Sequence, residues 1–421
     1  RIGNSATTSI TLTGDMYTFG TGATTLTSAG DIILSVEGDG TNGIIKSDSN
    51  ITINAGGTDN SGGEFKVTGD ARIVTTTAND TVDIQSNIAG VDIAGAGTTV
   101  ESLLIDLETG TNSGGTIKIA GNIAAASGDA DGKFKTVTLK GKDAVYLGGT
   151  ITTAHNAADN NIDINSDDVF LTANTTLDTS ANTGSIDISG KVNSDTGLTK
   201  DLTLKAKGGA ITIHGIIGGT DNIGNLNINK DYDDGIGKIT LNGVGASNKI
   251  GITGTVDVGH TGTASMDLAG SYYNIDGNTI FMTTGSAEVI DIKATQTIKT
   301  ASGHSLEFSG GGVALDDSAD LTIDGGGTVT MTAITANSAE NVDISGTTVT
   351  TAAIGDGNEI HTVKLTGSTA VKLGGDIVTG NTALNYVDIN GPVILLGNRS
   401  IDTSAESGLI DFDGKIDSDD S

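Results

Sequence analysis

The chain has 421 residues, with 63 Gly, one Pro, no Cys and no Trp, and its formal net charge at pH 7 is −30. This composition excludes a collagen helix, which needs Gly at every third position and abundant Pro, and a disulfide-stapled domain, which needs Cys. The acidic charge disfavours nucleic-acid binding. Evenly spaced Ile, Val and Leu supply apolar surface for a core, which argues against disorder. Polar residues interrupt every apolar stretch before it is long enough for a membrane-spanning helix.

A short strand motif of the form Gly-x-Ile-x-(Ile/Leu)-x-Gly recurs along the chain. Its copies are GTIKIAG (115–121), GSIDISG (184–190), GAITIHG (209–215), GKITLNG (237–243) and a divergent GLIDFDG (408–414). Shorter alternating runs occur at 201–204 and 225–229. Alternation of apolar and polar residues predicts strands with one buried face, and the Gly, Asn, Asp and Ser between them suit tight turns. No segment has the apolar spacing of an amphipathic helix, so no helix is predicted.

A second repeat has a period of about 225 residues. The segment 136–151 matches 362–377, which lies 226 residues later, and 178–195 matches 402–419, which lies 224 residues later. Tyr17 matches Tyr273 at the longer offset of 256 residues. The first copy therefore contains about 30 extra residues, which is close to the length of one short repeat.

Short repeats that each contain two or three strands predict a parallel β-solenoid with roughly 25 residues per coil. Coils that stack at about 4.8 Å align their inward Ile, Val and Leu, and exclude Pro because strand N–H groups donate to the next coil. We expect one continuous β-solenoid over residues 1–421, with long-repeat copies at approximately 1–256 and 257–421, the second of which is incomplete. An array of β-sandwich domains is the alternative, although gain or loss of one coil fits a solenoid better.

The run from Gly184 to Gly243 resembles the repeats of filamentous-haemagglutinin-like proteins, which are giant bacterial surface and secreted proteins with GxIxLxGxV…LxxLxVxAxG coils. At the level of pattern, the resemblance covers most of the chain. It implies a right-handed parallel β-helix, secretion to the cell exterior, and an adhesive or structural use. Because the chain begins with Arg1 and shows no signal peptide, we expect a processed or partial product.

The sequence contains little that indicates catalysis. Five histidines are scattered among the predicted coils: His155, His214, His260, His304 and His361. The glycines at 310–312 and 325–327 lead into strands, so they are interpreted as coil corners and not as phosphate loops. Clusters such as Asp316, Asp317 and Asp320 are expected by chance among 52 acidic residues. We therefore predict no enzymatic activity. A carbohydrate-active β-helix, such as a polysaccharide lyase, hydrolase or tailspike, is the alternative.

Calcium is the metal ion that the sequence favours most. Two acidic turns begin like an oxygen-rich Ca²⁺ loop, with Asp231, Asp233 and Asp234 in DYDDG and with Asp129 and Asp131 in SGDADG. Neither turn supplies the distal bidentate Glu of an EF-hand. These five aspartates are the candidate Ca²⁺ ligands. We predict that the protein requires no cofactor, although it could bind Ca²⁺. The alternative is that they are solvated turn residues.

The predicted function is that of a non-enzymatic, extracellular structural rod. It would form or belong to a fibre or filament at the cell surface, with an adhesive or biofilm-matrix role. The expected partners are the chain itself, by end-to-end or lateral assembly, the continuation of a longer polypeptide, and a host or neighbouring cell surface. Nucleic acid and membrane insertion are not expected. A receptor-binding adhesin is a further possibility, and its best candidate contact lies around Tyr272 and Tyr273.

Overall fold

The fold is all-β, as predicted. The computed structural model describes the chain apart from residues 36–42, 57–61, 92–100, 108–113, 127–133, 154–159, 231–236, 286–288, 356–359, 381–384, 405–407 and 420–421. Within the described residues there is no helix, and parallel sheets stack as a β-solenoid whose equivalent strands lie about 25 residues apart. The predicted fold class and coil length are therefore confirmed.

The chain divides into two compact units, Arg1–Gly215 (unit 1) and Ile216–Ser421 (unit 2). This division does not coincide with the predicted boundary of the long repeat at residues 256 and 257. The expectation of one continuous solenoid with two long-repeat copies stays a prediction.

The strands of unit 1 are short, and most have three to five residues. Its described residues contain β1 (Ile10–Leu12), β2 (Met16–Phe19), β3 (Thr24–Ser28), β4 (Ile32–Ser35), β5 (Gly43–Ser47), β6 (Ile51–Ala55), β7 (Glu64–Thr68), β8 (Ala71–Thr75), β9 (Asp80–Ile84), β10 (Asn87–Gly90), β11 (Glu101–Asp106), β12 (Gly115–Ile119), β13 (Ile123–Ala125), β14 (Phe134–Lys140), β15 (Ala144–Leu147), β16 (Thr150–Thr152), β17 (Asn161–Asn165), β18 (Asp168–Leu171), β19 (Thr175–Asp178), β20 (Ile186–Ile188), β21 (Lys191–Ser194), β22 (Leu202–Lys205) and β23 (Ile211–Ile213).

Three parallel sheets build unit 1. Sheet A contains β1, β4, β7, β10, β13, β16, β19 and β22. Sheet B contains β2, β5, β8, β11, β14, β17, β20 and β23. Sheet C contains β3, β6, β9, β12, β15, β18 and β21. From β2 onward the chain passes through sheets B, C and A in turn, so three strands make one coil.

Unit 2 is built in the same way from short strands. Its described residues contain β24 (Leu226–Ile228), β25 (Ile239–Leu241), β26 (Val256–Gly259), β27 (Met266–Leu268), β28 (Tyr272–Ile275), β29 (Thr279–Met282), β30 (Ile290–Ile292), β31 (Gln296–Thr300), β32 (Leu306–Ser309), β33 (Val313–Leu315), β34 (Leu321–Asp324), β35 (Thr328–Met331), β36 (Ile334–Ala336), β37 (Glu340–Thr351), β38 (Ile360–Leu373), β39 (Ile377–Val378), β40 (Tyr386–Asn390), β41 (Val393–Leu395), β42 (Ile401–Asp402), β43 (Leu409–Phe412) and β44 (Ile416–Ser418).

Three parallel sheets also build unit 2, and β37 and β38 are long enough to serve two of them each. Sheet D contains β24, β26, β29, β32, β35, the second halves of β37 and β38, β41 and β44. Sheet E contains β25, β27, β30, β33 and β36, and continues through a bridge at Ile354 to β39 and β42. Sheet F begins with bridges that join Ile217, Val244 and Tyr273, and contains β28, β31, β34, the first halves of β37 and β38, β40 and β43.

The core consists of columns in which equivalent side chains of successive coils stack on each other. In sheet B, one column is formed by Ile45, Ile73, Ile105, Leu139, Ile164, Ile188 and Ile213. Each of these side chains is at least 99% buried. Burial of one such side chain contributes about 1.5 to 3 kcal/mol, so the columns are the main source of stability.

The two glycines of the short motif occupy corners where neighbouring coils approach each other closely. A Cβ atom at Gly209 would collide with the carbonyl oxygen of Gly184, and one at Gly215 would collide with the carbonyl oxygen of Gly190. Because the obstacle is backbone and not the end of a flexible side chain, it cannot move aside cheaply. The motif therefore begins and ends with Gly for steric reasons.

Asp and Asn at the starts of strands join each coil to the next. In eleven places within the described ranges, a side-chain oxygen at or just before the first strand residue accepts a hydrogen bond from a backbone N–H one coil later. The pairs are Asp31 and Glu64, Asn50 and Thr81, Asp70 and Ser102, Asn87 and Asn122, Asn122 and Thr150, Asn161 and Ser185, Asn174 and Asp201, Asn225 and Thr255, Asn278 and Ser305, Asp320 and Asn341, and Asp376 and Ser400. Only an acceptor is needed, which explains why Asp and Asn alternate freely at this position.

We expect Asn278→Ala to lower the free energy of unfolding by about 1 kcal/mol, because it removes the acceptor for two hydrogen bonds. The backbone N–H and Oγ of Ser305 donate to Asn278 Oδ1 at 2.9 and 3.2 Å. Asn278→Asp keeps the acceptor and should unfold close to the wild-type denaturant midpoint. Urea titration of both variants checks this, and an equal loss in both would contradict the role of the acceptor.

Tyr17 and Tyr273, which the long repeat aligns, make the same local hydrogen bond. The Tyr17 hydroxyl accepts from the Gly14 N–H at 2.8 Å, and the Tyr273 hydroxyl accepts from the Gly270 N–H at 3.3 Å. Tyr273 is fully buried, and its hydroxyl also donates to the carbonyl oxygen of Leu241 at 2.7 Å. Burial raises the pKa of Tyr273 above its ordinary value, so the phenol stays protonated and remains a donor. Both tyrosines lie in strands of the solenoid.

An aromatic cluster connects sheets D and F inside unit 2. The ring of Phe281 lies edge-on to Tyr273, with centroids 6.3 Å apart, and is tilted against Phe308, with centroids 5.3 Å apart. All three side chains are at least 99% buried. Such pairs contribute about 0.5 to 1.5 kcal/mol beyond the stabilisation from the apolar area that they bury, so the cluster adds to the stability of this core.

Candidate functional site

The aspartates predicted as Ca²⁺ ligands lie in two segments, 127–133 and 231–236, that are outside the described residues. They are Asp129, Asp131, Asp231, Asp233 and Asp234. In the ranges that the structure does describe, no group of three or more His, Cys, Asp or Glu side chains is arranged to hold a metal ion. Calcium binding through the five aspartates stays a prediction.

The histidines are distributed over separate coils. His214 Nε2 lies 3.2 Å from Asp187 Oδ1, and its side chain is 55% exposed. His304 Nε2 lies 3.6 Å from Asp276 Oδ1. Two further histidines lie in other coils, and His155 is outside the described residues. The described histidines are therefore at least partly exposed, and each lies in a different coil.

Two carboxylates of the sequence cluster 316–320 contact neighbouring coils. Asp316 forms an ion pair with Lys293 Nζ at 3.3 Å. Asp320 Oδ1 accepts hydrogen bonds from the backbone N–H and the side-chain Nδ2 of Asn341 at 2.8 and 2.9 Å. Both carboxylates therefore help to hold adjacent coils together.

Two acidic side chains stack on each other on the outer face of sheet B. Asp163 and Asp187 are register partners in β17 and β20, and His214 lies against Asp187 in the next coil. Partial burial raises the pKa of Asp163 above its ordinary value, and the adjacent Asp187 carboxylate raises it further, while Lys140 opposes the shift. Like charges stacked at about the strand spacing of 4.8 Å disfavour the ionised form of each.

We expect Asp163→Asn to raise the urea midpoint of unfolding at neutral pH. Because the pKa of Asp163 is higher in the folded than in the unfolded protein, stability falls as the pH rises from the ordinary to the raised pKa, and the full destabilisation persists above it. The gain should shrink as the pH falls below the ordinary pKa, where wild-type Asp163 is protonated in both states. Asp343→Asn is the control, because Asp343 lies 4.0 Å from a cation, Lys364 Nζ, and its neutralisation is not expected to raise the urea midpoint. A gain that is the same at all pH values would contradict this explanation.

An outward aromatic pair on sheet C is covered on one side by a cation. The rings of Tyr146 and Phe170 stack with centroids 4.9 Å apart, and Lys118 Nζ lies 5.4 Å from the centroid of Tyr146. Burial, together with the carboxylates of Asp195 and Asp168, raises the pKa of Tyr146 above its ordinary value. Because Tyr146 stacks on Phe170 and is approached by Lys118, we interpret the pair as an element of coil stacking and not as an open platform.

One groove on the outer face of sheet F has the form of a binding site. Its volume is about 400 Å³, and it is lined by Ile216, Asn242, Gly243, Gly245, Ala269, Gly270, Ser271 and Tyr272. The side chains of Ile216 and Tyr272 are exposed, by 38% and 41%, at opposite ends of it. Gly243 lies between them in register, and it has no side chain that could bridge the space between Ile216 and Tyr272.

Two chain excursions border this groove and break the coil rhythm. Ile217 and Ile223 align with Val244 and Ile252, and these align with Tyr273 and Ile275. Residues 218–222 and 245–251 are therefore inserted where β28 has a single residue. The second excursion is a tight turn in which Ala246 and Lys249 exchange backbone hydrogen bonds of 2.9 and 3.1 Å.

The sequence located this region only in part. From the sequence, the surroundings of Tyr272 and Tyr273 are the best candidate contact of an adhesin, and the two excursions lie in the two coils that precede these residues. Tyr273 belongs to the core, and Tyr272 lines the groove. The signal that could have identified the groove is the wide, Gly-rich spacing from Ile217 to Ile223 and from Val244 to Ile252.

Comparison with protein-family models, with curated proteins and with solved structures gives no match. Among the described residues, no helix has the length and hydrophobicity needed to span a bilayer. The resemblance of the repeats to filamentous-haemagglutinin-like coils stays a prediction.

Proposed function

We propose that this protein is a structural element of an extracellular fibre or filament at a cell surface, with an adhesive or matrix role. The observation that carries the proposal is the way in which coils are joined. Within each unit, successive coils are connected by three ladders of parallel backbone hydrogen bonds, by buried side-chain columns and by the Asp and Asn hydrogen bonds at strand starts. A load applied along the stacking direction is therefore shared by many interactions at every coil.

The surface chemistry supports this role. Most of the described Lys and Arg side chains that form ion pairs do so with a carboxylate in the adjacent coil. Examples are Lys66 Nζ with Asp31 Oδ2 at 2.5 Å and Lys238 Nζ with Asp267 Oδ2 at 2.6 Å. With 22 Lys and Arg against 52 Asp and Glu, a large excess of acidic groups remains. Such an excess keeps extended protein surfaces soluble and apart, and it disfavours nucleic acid as a partner.

The coil that contains β42, β43 and β44 exposes several apolar side chains. Ile410 and Ile416 continue columns that are fully buried at Val387 and Val393, yet they are 43% and 49% exposed. Leu409 is 74% exposed beside them. We propose that a second copy of the chain covers this surface, because the exposed side chains continue apolar columns that are buried in the preceding coil.

Negative-stain electron microscopy and sedimentation of the 421-residue chain over a wide concentration range test the proposal. We expect end-to-end assemblies that lengthen with concentration and are lost in an Ile410→Lys, Ile416→Lys double variant. The control is Ile280→Lys, which changes a partly exposed residue on the outer face of β29. Particles that stay single at every concentration, or assembly that the double variant leaves unchanged, would overturn end-to-end assembly of this chain.

A carbohydrate-active β-helix is the alternative function and stays a prediction. Release of reducing ends or of unsaturated products from polysaccharides by the purified chain would favour it. The fibre proposal expects no turnover by the same preparation, whatever its state of assembly.

A further inference from the structure

We propose that the groove between Ile216 and Tyr272 binds one neutral sugar ring of a polysaccharide. This inference deepens the adhesive role proposed above and rests on it for its biological meaning. It assigns the class of ligand and the residues that would hold it.

The dimensions of the groove follow from the coil register. Ile217, Val244 and Tyr273 are aligned and buried, so the residues before them, Ile216 and Tyr272 at the two ends and Gly243 between, share one outward column. Neighbouring parallel strands are about 4.8 Å apart, which places the backbones of Ile216 and Tyr272 about 9.6 Å apart. A ring seated midway, above Gly243, would lie between the two side chains, with each of their backbones about one strand spacing away.

Gly243 is required for this gap to exist. Its φ is +119°, in a region that residues with a Cβ atom rarely adopt, and a Cβ there would lie 3.1 Å from the carbonyl oxygen of Tyr272. The adjacent turn is held rigidly, since Asn274 Nδ2 donates to the carbonyl oxygen of Ala246 at 3.0 Å. The groove is therefore preformed, which reduces the entropy lost on binding.

The side chains of the groove suit a sugar ring better than other flat ligands. Tyr272 supplies an aromatic face and Ile216 an aliphatic one, and both can pack against the C–H groups of a pyranose. Asn242 and Ser271 lie in the same groove and bring an amide and a hydroxyl to the edge, where the ring carries its hydroxyl groups. A few polar groups placed on an apolar cleft are the usual composition of a small-ligand site.

The charge of the site selects a neutral sugar. None of the eight lining residues is charged, so the groove offers neither a cation for a uronate or sulfate nor a carboxylate for an amino sugar. The net charge of −30 adds a general repulsion of anionic polysaccharides.

The test uses the full chain and four probes: cellopentaose, chitopentaose and maltopentaose as neutral pentasaccharides, and a heparin-derived pentasaccharide as the anionic one. Saturation-transfer NMR detects binding, and isothermal titration measures the dissociation constant. We expect at least one neutral probe to bind with a dissociation constant on the order of 1 mM or tighter. Tyr272→Ala should weaken that binding at least about tenfold, and Tyr272→Phe should leave it within about twofold, because the ring and not the hydroxyl makes the contact.

Tyr386→Ala is the matched control, since Tyr386 is also exposed, by 40%, but does not line the groove. The proposal is overturned if no neutral probe binds, if Tyr272→Ala binds as the wild type does, if Tyr386→Ala weakens binding equally, or if the anionic probe binds most tightly. Ser271→Ala should weaken binding without a change in the unfolding midpoint, which separates loss of contact from loss of fold. Assembly of Tyr272→Ala is measured separately, so failure of this inference and failure of the fibre proposal are distinguishable.

Discussion

Gly209→Ala is expected to lower the free energy of unfolding of unit 1 by about 3 kcal/mol, at the upper end of the range for overpacking a closed site. A Cβ at this position collides with the carbonyl oxygen of Gly184 in the neighbouring coil. The φ of Gly209 is not positive, so the loss arises from the close approach of two coils and not from a strained conformation. Urea unfolding and amide hydrogen exchange across β20 and β23 would measure it.

Gly20→Ala is the matched control for this prediction. Apart from Gly20 and its two chain neighbours, no residue has an atom within 4 Å of a Cβ built on Gly20, and its φ is also not positive. Such a substitution is expected to be neutral or to stabilise by up to about 1 kcal/mol, since it restricts the unfolded chain. If both variants behaved alike, close coil packing would not be the reason for Gly in the short motif.

Phe281→Ala is expected to lower the free energy of unfolding of unit 2 by about 3 to 5 kcal/mol, because it empties the centre of the aromatic cluster. Phe281 contacts both Tyr273 and Phe308, and the rings around it are held by strands of two sheets and cannot close the cavity. In a repeat protein the loss should begin in the adjacent coils, so hydrogen exchange in β28, β29 and β32 is the most informative measurement.

Ile280→Ala serves as the control in the same strand. Ile280 is next to Phe281 but points outward and is partly exposed. Its truncation should lower the free energy of unfolding by less than about 1 kcal/mol, since it leaves no internal cavity. Equal losses for the two variants would contradict the assignment of inward and outward faces in β29.

The sequence predicted the strands well because their physical signal is local. Each full copy of the short motif contains a strand at its alternating centre, for example Ile186–Ile188 in GSIDISG and Ile211–Ile213 in GAITIHG. The glycines at 310–312 and 325–327 also lie at corners, where a Cβ on Gly310 or Gly326 would collide with backbone of the preceding coil. The alternation of apolar and polar residues and the residue types of turns depend on neighbours in sequence, so both can be recognised before the fold is known.

The contacts between coils could not be predicted, because they depend on register between segments 20 to 35 residues apart. The pairing of His214 with Asp187 and of Asn278 with Ser305 requires the length of each coil to be known, and that length varies. The groove at Gly243 arises in the same way, from one glycine placed between Ile216 and Tyr272 by two unequal excursions. These features are set by tertiary alignment and leave only weak local signals.

The stacking of coils in register is tested most directly by the distances between outward residues of one column in sheet B. The chain has no Cys, so pairs of cysteines carrying nitroxide labels can be introduced without background. Register predicts that Asp187 and Thr212 are neighbours, whereas Asp163 and Thr138 lie two and three coils from Thr212. The separations are therefore about 4.8, 9.6 and 14.4 Å.

Three double variants combine Thr212→Cys with Asp187→Cys, Asp163→Cys or Thr138→Cys. Stacking of coils in register predicts that dipolar broadening of the electron paramagnetic resonance spectrum is strongest for the first pair, weaker for the second and weakest for the third. Equal broadening in all three, or stronger broadening for Thr138 than for Asp187, would contradict the stacked solenoid, and the fibre proposal that depends on it.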